Sequence, residues 1–324
     1  MKLIQKFKQM GVKKSFFAIL RRILFIMFSF NIEFNLNFYI KRIIYGYVIE
    51  NINGFKMYLD LRNDVGISKE LLIFKKREPL ITELIQSEGI IKEGDTVIDI
   101  GANIGYYTLI ESRLVGPSGT VYALEPVSSN FVILNRNIEL NGIKNVKTFK
   151  LAAGNENKED EIYVASKGNI SSFILNKEAV YVRKEKVKII TIDNFVLQQQ
   201  IQPNFIRMDV EGYESEIIRG MIKTMKSSKP ILLIEVHPHL MKKDKLKEMF
   251  YFIKESGYTK VIVVKERNII WMKRNGEVNS LLLYLTRKIE GKSAVGMGNI
   301  EYIRLEELYS NLEARNSAFH VLIS

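Results

Sequence analysis

Short apolar runs alternate with longer amphipathic stretches from residue 95 onward. The run "TVIDI" precedes "GYYTLIESRLV", "TVYAL" precedes "SSNFVILNRNIELNG", and "PILLIEV" precedes "KDKLKEMFYFIKESG". The short runs are typical of buried strands, and the longer stretches have the periodicity of helices. Strands that alternate with helices of about 10–15 residues predict right-handed crossovers and a mostly parallel sheet with helices on both faces. The sequence therefore predicts an α/β fold.

Three further segments extend this pattern. "VKTFKLA" is predicted as a third strand, "NFIRMDV" as a strand that leads into the helical "YESEIIRGMIKTM", and "KVIVV" and "IIWMK" as two late strands. Upstream, two strand-like runs flank Asn53-Gly54, the pair most typical of a tight hairpin turn, and residues 63–92 have helical spacing. We therefore divide the chain into a basic amphipathic segment (1–45), a hairpin and helical lead-in (46–92), a catalytic core (93–272) and a C-terminal extension of unpredicted structure (273–324).

Charge is concentrated at the N-terminus. Residues 1–50 contain nine lysines and arginines against two glutamates, a net +7 of the total +12. Arg21 and Arg22 cut its longest apolar run into pieces far shorter than the roughly 20 residues that span a bilayer. This pattern favours a helical segment that lies on an anionic membrane face, although a helical pair that covers the core or a partner subunit would also fit. The segment lacks the Ser/Thr/Gly-rich texture of a nucleic-acid-binding arm.

Cysteine is absent. Disulfides, thiolate metal sites and a cysteine nucleophile are therefore excluded, and the composition fits a reducing compartment. We expect a cytoplasmic protein that is peripheral at the membrane face. The sequence predicts no oligomeric state.

A glycine-containing loop follows the first strand of the predicted sheet. In "DTVIDIGANIGYYT", Gly101 and Gly105 lie between a strand and a helix, where ligands bind in open α/β sheets. The spacing lacks the third glycine of a dinucleotide-binding loop. Glu125 ends the next strand 24 residues after Gly101, close to the offset at which an acid accepts hydrogen bonds from ribose hydroxyls. A ligand with an amino-acid end, a ribose and an adenine suits these features.

Eight segments then resemble one known family. "DTVIDIGANIGYYT", "VYALEP", "NRNIELNG", "KLAAG", "GNISSF", "ITIDNF", "IRMDVEGYESEIIRG" and "ILLIEVHPH" are similar, in this order, to the FkbM family of S-adenosylmethionine (SAM)-dependent methyltransferases. The resemblance covers roughly residues 76–240. It implies a Rossmann-like, seven-stranded methyltransferase sheet and methyl transfer to oxygen, typically on sugars, lipids or natural products.

The cofactor residues are predicted from the loop, the strand ends and the resemblance. Asp99 is expected to orient the loop and the cofactor's amino group, or to stabilise the loop and helix. Asn103 either binds the methionine carboxylate or holds the turn, and Ala152 lies where the resemblance places adenine, although small residues there equally suit tight packing. Ser171 and Ser172 form either the pocket rim or an ordinary turn, and Asn137 and Asn141 are expected on a solvated or capping helix face. The predicted cofactor-binding residues are Asp99, Gly101, Ala102, Asn103, Gly105, Glu125 and Ala152.

The candidate catalytic residues follow the fourth and fifth strands. Asp209 and Glu211 are expected at the edge of the cleft, where a substrate hydroxyl meets the methyl group. Alternation along the strand places Glu235 and His237 on one face, so that the histidine is a candidate general base. Glu214 is assigned to the first turn of a helix rather than to catalysis. A divalent ion on Asp209 and Glu211 is conceivable, but the spacing does not require one, and we predict no metal site.

The sequence thus predicts a SAM-dependent O-methyltransferase that acts on a glycan, a glycolipid or a related small molecule. An NAD-dependent oxidoreductase is the alternative that the glycine spacing disfavours. A nucleic-acid methyltransferase would use the basic arm for phosphates, but the amide motif of that class is missing. A non-catalytic scaffold would have no need for an intact set of cofactor acids.

Overall fold

The computed structural model describes residues 41–43, 45–64, 66–87, 89–165, 171–174, 180–265, 299–305, 308 and 318–324. Most of the basic segment predicted over 1–45 lies outside the described residues. So do the strand predicted at "IIWMK" and much of the C-terminal extension. No described helix is long and apolar enough to cross a membrane.

A β-hairpin and two helices precede the main sheet. Strands β1 (Tyr47–Ile52) and β2 (Phe55–Asp60) pair antiparallel across Asn53-Gly54, whose φ angles of 52° and 84° are both positive, as a type I′ turn requires. The helical lead-in predicted over 63–92 is two helices, α1 (Ile67–Phe74) and α2 (Pro79–Ser87). The break falls before Pro79 because proline disfavours a helical conformation in the residue that precedes it and favours the first position of a helix.

The predicted strand–helix alternation forms the centre of the molecule. Its first half comprises β3 (Thr96–Ile100), α3 (Tyr106–Val115), β4 (Thr120–Leu124), α4 (Ser128–Leu140) and β5 (Val146–Phe149). A connection follows with β6 (Ala152–Ala153), β7 (Lys158–Ala165), β8 (Tyr181–Ile190) and α5 (Ile192–Gln199). The second half comprises β9 (Phe205–Met208), α6 (Glu214–Arg219), α7 (Ile222–Ser228), β10 (Ile231–Val236), α8 (Lys243–Glu255), β11 (Lys260–Lys265), β12 (Asn299–Arg304) and β13 (Phe319–Ile323).

The main sheet has the order β12-β11-β13-β10-β9-β3-β4-β5. Strands β5, β4, β3, β9 and β10 are mutually parallel, whereas β13 is antiparallel to both of its neighbours. The predicted seven-stranded, mostly parallel α/β sheet is therefore confirmed, and β12 adds an eighth strand at one edge. Apolar side chains fill both faces, with Val97 and Leu109 in one core and Ile98 and Phe250 in the other.

The C-terminal end of the chain belongs to the sheet. Strand β13 lies between β10 and β11 and is buried along its whole length. The core predicted to end at residue 272 therefore ends too early, because a central strand comes from 319–323. A five-residue strand that is buried on both faces shows no alternation, so its sequence carried little signal.

The connection between β5 and β9 departs most from the predicted pattern. The strand predicted over "VKTFKLA" is divided, and β6 leaves the main sheet to join a three-stranded sheet of order β6-β8-β7. The helix predicted after residue 212 is likewise divided into α6 and α7 at Gly220. A Cβ atom on Gly220 would lie 1.9 Å from the carbonyl oxygen of Gly154, so the two segments pack backbone against backbone at this point.

The two asparagines of α4 connect the hairpin to the core. The Asn137 side chain is buried, accepts a hydrogen bond from the Tyr58 amide (2.6 Å) and donates one to the Ile104 carbonyl (2.8 Å). Asn141 bonds in the same way to both backbone groups of Lys56. Asn141 is the C-cap residue of α4, which agrees with the predicted capping role, whereas Asn137 is buried rather than solvated. Edge groups of the hairpin need hydrogen-bond partners, and the two amide side chains supply them.

Candidate active site

A cleft opens where the carboxyl ends of β3, β4 and β9 meet. It spans about 610 Å³, including space that is open to solvent. Among the predicted residues, its wall includes Gly101, Asn103, Glu125, Ala152, Asp209 and Glu211. The structure thus brings the predicted ribose acid and two predicted catalytic acids to one cavity.

The glycine loop is shaped by its packing against β9. Gly101 has φ +81°, and a Cβ atom on it would lie 2.1 Å from the backbone oxygen of Asp209. Gly105 has φ +90°, and its Cβ would lie 2.8 Å from Leu134 Cδ1. Ala102 is buried outside the cleft wall, and its amide donates to the Leu124 carbonyl (3.0 Å). The bare backbone is therefore required by contacts within the fold, before any ligand enters.

Glu125 is held in place by backbone amides. One carboxylate oxygen accepts from the Asn103 amide (2.8 Å) and the other from the Val127 amide (2.9 Å) and, more weakly, from Asn130 Nδ2 (3.4 Å). Burial raises the pKa of Glu125 to about 7, against these hydrogen bonds, which lower it. A fixed carboxylate with free lone pairs at the end of β4 is the acceptor that a pair of ribose hydroxyls needs.

Two other predicted cofactor residues have structural contacts. Asn103 has φ +52°, and its side-chain oxygen accepts the hydrogen bond of the Ile104 amide (2.9 Å), so it holds the turn, which was one of its two predicted roles. Asp99 is fully buried outside the cleft wall. Its oxygens accept from Thr108 Oγ1 (2.6 Å) and face Arg207 Nη1 (3.2 Å). These contacts match the loop- and helix-stabilising alternative rather than a reach to the cofactor's amino group.

Behind Asp209 and Glu211, His237 lies among three carboxylates. Its Nδ1 atom is 2.7 Å from Glu214 Oε1, and its Nε2 atom is 3.6 Å from both Glu211 Oε2 and Glu235 Oε1. The predicted pairing of Glu235 and His237 on one face is therefore seen. Glu214 lies in the first turn of α6, as predicted, and it is also the carboxylate that bonds the imidazole.

The turn that carries Glu211 is in an unusual conformation. Glu211 has φ +52° and Gly212 has φ +97°. A non-glycine residue in this region costs on the order of 1–3 kcal/mol and persists only where its surroundings enforce it. Ser172 Oγ donates to the Glu211 carbonyl (2.8 Å), so Ser172 holds this turn, while Ser171 lies in the cleft wall.

A second set of charged side chains, absent from the predictions, surrounds the first. Arg207 Nη2 lies 3.2 Å from Asp209 Oδ2, and its guanidinium stacks 4.0 Å from the Tyr107 ring centroid. Glu78 accepts from Tyr107 OH (2.7 Å), and His320 Nε2 lies 3.3 Å from Glu78 and 3.5 Å from Glu235. Arg207 is hidden within the apolar run "NFIRM", and His320 is 83 residues from His237 in the sequence, so only the fold brings them together.

The protonation of this cluster follows from its charges. Burial raises the pKa of Asp209, but Arg207 and Arg77 outweigh it and hold the pKa below its usual value. Burial raises the pKa of Glu211 to about 8, with further upward shifts from neighbouring carboxylates, and that of Glu235 to about 7. Burial lowers the pKa of His237, but the surrounding carboxylates raise it well above its usual value. The carboxylates around His237 therefore favour its protonated form.

A match to a family model identifies the protein family to which this chain belongs. Residues 99–260, half of the chain, match the model described as "Methyltransferase FkbM domain". The chain belongs to the FkbM methyltransferase family. The resemblance read from the motifs is therefore confirmed. The matched region begins at Asp99 and includes the glycine loop, Glu125 and the cluster around His237.

Individual relatives are distant. Methyltransferase 1 of Beauveria bassiana is 24% identical over 144 residues, which cover 39% of this chain and 57% of that protein. The hexuronic acid methyltransferase AglP of Haloferax volcanii is 24% identical over 169 residues, 47% of this chain and 60% of that protein. An FkbM methyltransferase structure from Methylobacillus flagellatus is 18% identical, with a TM-score of 0.41, and the alignment covers 58% of this chain and 44% of that one. The chain thus matches about half of the length of these relatives.

Proposed function

We propose that this FkbM-family protein transfers the methyl group of SAM to a hydroxyl of a glycan, a glycolipid or a related small molecule. The observation that carries the proposal is the single cleft that joins Glu125 and the glycine loop to Asp209 and Glu211. One distant relative, AglP, has a hexuronic acid as its named substrate, which supports a sugar-like acceptor.

The cleft suits the parts of SAM in a definite order. Glu125 is the acceptor for the ribose hydroxyls, and the small side chains of Ala152 and Ala153 leave room for the adenine in the same wall. The methionine end is then directed toward the glycine loop and the end of β9. This order leaves the sulfonium methyl group facing Asp209 and Glu211.

The reaction needs alignment more than strong activation. The hydroxyl oxygen attacks the methyl carbon in line, the carbon–sulfur bond breaks, S-adenosylhomocysteine leaves, and the hydroxyl gives up one proton. A sulfonium is already a good leaving group, so positioning supplies much of the rate. We propose Asp209 and Glu211 as the residues at the acceptor hydroxyl, with Glu235 and His237 behind them. His237 accepts a proton only after losing its own.

Calorimetric titration of the full-length protein with SAM, NAD and a single-stranded oligonucleotide tests the cofactor assignment. We expect binding of SAM alone, because the loop lacks the glycine spacing for a pyrophosphate. NAD binding in place of SAM would contradict the proposal in favour of an oxidoreductase. Transfer of a labelled methyl group from SAM to oligosaccharide, glycolipid and RNA fractions then tests the acceptor, and label confined to RNA would exclude the proposed class.

We further propose that the protein is peripheral at an anionic membrane face. The basic, apolar N-terminal segment supports this proposal from the sequence, with its net +7 in residues 1–50. The described residues at the junction of this segment and the hairpin include exposed apolar side chains: Ile43, Tyr45, Tyr47 and Ile49 are each more than half exposed. Apolar side chains beside clustered lysines are the combination that binds an anionic lipid surface.

A further inference from the structure

We propose that Asp209, Glu211 and His237, with Glu235 beside them, bind a divalent first-row metal ion at the edge of the cleft. This inference rests on the proposed function and extends it, because it adds a group that would contact the acceptor hydroxyl. It differs from the expectation based on sequence spacing, which predicted no metal.

The ligand atoms have the spacing of a shared ion rather than of hydrogen bonds. His237 Nε2 lies 3.6 Å from Glu211 Oε2 and 3.6 Å from Glu235 Oε1, beyond hydrogen-bond reach in both cases. One ligand atom each of Asp209, Glu211 and His237 lies within 4.8 Å of the others. An ion about 2.2 Å from two atoms that are 3.6 Å apart would see them at an angle of about 110°, which is close to tetrahedral.

The imidazole is prepared as a ligand. His237 is 4% exposed, its Nδ1 atom is taken by Glu214, and its Nε2 atom makes no hydrogen bond among the described residues. Metal-bound histidines almost always have their second nitrogen bonded to a carboxylate or a carbonyl in this way. Asp209 is likewise held from behind by Arg207, which leaves its other oxygen for the cleft.

The charges also call for a cation. Arg207 and Arg77 lie against Asp209, Asp99 and Glu78, but no arginine or lysine forms an ion pair with Glu211, Glu214 or Glu235 among the described residues. Glu214 Oε2 and Glu235 Oε2 are buried there without a hydrogen-bond partner. Among the described residues, His237 is the one basic side chain paired with Glu211 and Glu214, and a divalent ion would compensate their charge.

The proposed ion has a defined part in the reaction. Glu211 and Asp209 line the cleft, so an ion on them has an open position toward the acceptor. Coordination of the acceptor hydroxyl lowers its pKa, and its proton passes to water in the open part of the cleft as the oxygen takes the methyl group. A mixed set of carboxylates and one imidazole suits Mn²⁺ or Zn²⁺ better than Ca²⁺.

Binding of Mn²⁺ to the full-length protein tests the proposal directly. The protein is treated with chelator and desalted, and free Mn²⁺ is then measured by electron paramagnetic resonance, without SAM or acceptor. We expect one ion per chain, and at least tenfold weaker binding in Glu211→Gln and His237→Gln. Glu214→Gln, which changes the carboxylate that bonds Nδ1 and also accepts from the Gly212 amide, is expected to weaken binding by about 10–100-fold. Glu139→Gln is the matched control, since Glu139 is an exposed carboxylate of α4, and its affinity is expected not to change.

Two controls separate this proposal from the proposed function. Glu125→Ala is expected to lose SAM affinity while it keeps Mn²⁺, and the metal-site variants are expected to do the reverse. Wild-type crystals soaked in Mn²⁺ are expected to show an anomalous peak between His237 Nε2 and Glu211 Oε2, a result that does not depend on any variant folding. No bound Mn²⁺, or binding that survives both Glu211→Gln and His237→Gln, would overturn the metal site even if SAM binds.

Discussion

At the scale of single residues, the most informative side chains are buried carboxylates, because each needs a hydrogen-bond partner or a proton. Glu125 is a carboxylate that two backbone amides hold in a cleft, and Glu111 is a carboxylate in α3 with no such partner. The first was predicted from its place at the end of a strand. The second could not be, because a glutamate in a helix is usually at the surface.

Replacement of Glu125 by alanine tests the ribose assignment. We expect SAM binding to weaken by about 1–3 kcal/mol, because the ribose hydroxyls lose a buried charged acceptor. Isothermal titration calorimetry measures the change, and Glu139→Ala on the exposed face of α4 is the control. Equal affinities of the Glu125 variant and the wild type would show that the ribose lies elsewhere.

The pH dependence of stability tests the state of Glu111. Burial raises the pKa of Glu111 well above its usual value, and Asp99 adds to the shift. A carboxyl with a raised folded-state pKa binds more protons when folded, so its contribution to stability is present at low pH and is lost as pH rises above the unfolded value of about 4.5. Glu111→Gln removes this loss. Above about pH 4.5, the free energy of unfolding of the variant is expected to rise relative to that of the wild type, by up to about 1.4 kcal/mol for each pH unit.

Chemical denaturation at a series of pH values between 4 and 9 measures this difference. Glu139→Gln, which changes an exposed glutamate on the neighbouring helix, is the control and is expected to follow the wild type. A Glu111→Gln variant whose stability runs parallel to the wild type at every pH would mean that Glu111 is ionised in the folded protein.

At the scale of elements, the sequence predicted those whose pattern is local. The hairpin turn, β3 with its loop, β4 with Glu125, and β9 and β10 with their terminal acids were all readable, since each combines an apolar run with a distinctive polar end. The elements missed depend on distant partners. Strand β6 leaves the main sheet to pair with β8, and β13 inserts between two strands that lie far earlier in the chain.

The same distinction explains what was found of the candidate site. Asp209, Glu211, Glu235 and His237 could be proposed because strand ends converge at one edge of a parallel sheet. The charged residues that contact them could not be proposed. Arg207 is a single charged residue within an apolar strand, and His320 comes from the last strand of the chain. Glu214 has an ordinary explanation as the first residue of a helix, which concealed its bond to His237.

Removal of strand β13 tests whether the C-terminus is part of the core. Deletion of residues 319–324 would expose the edges of β10 and β11 and remove the buried Phe319, Val321 and Ile323. We expect loss of cooperative thermal unfolding and aggregation, because unpaired central strands associate readily. Deletion of the exposed Ser324 alone is the control. A 318-residue protein that unfolds cooperatively near the wild-type temperature would show that the strand is dispensable.

At the scale of the whole molecule, charge and cofactor chemistry are separated along the chain. Residues 1–50 carry +7 of the net +12, whereas every residue assigned to the cleft or to the proposed metal site lies after residue 95. The separation suggests a division of labour, in which one part holds the enzyme at its acceptor's location and the other performs methyl transfer. An acceptor embedded in a membrane would make that arrangement useful.

Deletion of residues 1–45 tests this division. We expect the truncated protein to leave vesicles of anionic lipid while it binds SAM with unchanged affinity, as measured by co-sedimentation and calorimetry. For the full-length protein, 0.5 M salt is expected to release part of the bound fraction, because the Debye length falls well below 10 Å and the lysines lose their attraction. Vesicles of neutral lipid are the matched control, since they retain the apolar contribution but not the charge. Two results would contradict the assignment. A truncated protein that aggregates and no longer binds SAM would show that the segment is part of the folded core. A full-length protein that binds neither anionic nor neutral vesicles would show that the segment does not bind a lipid surface.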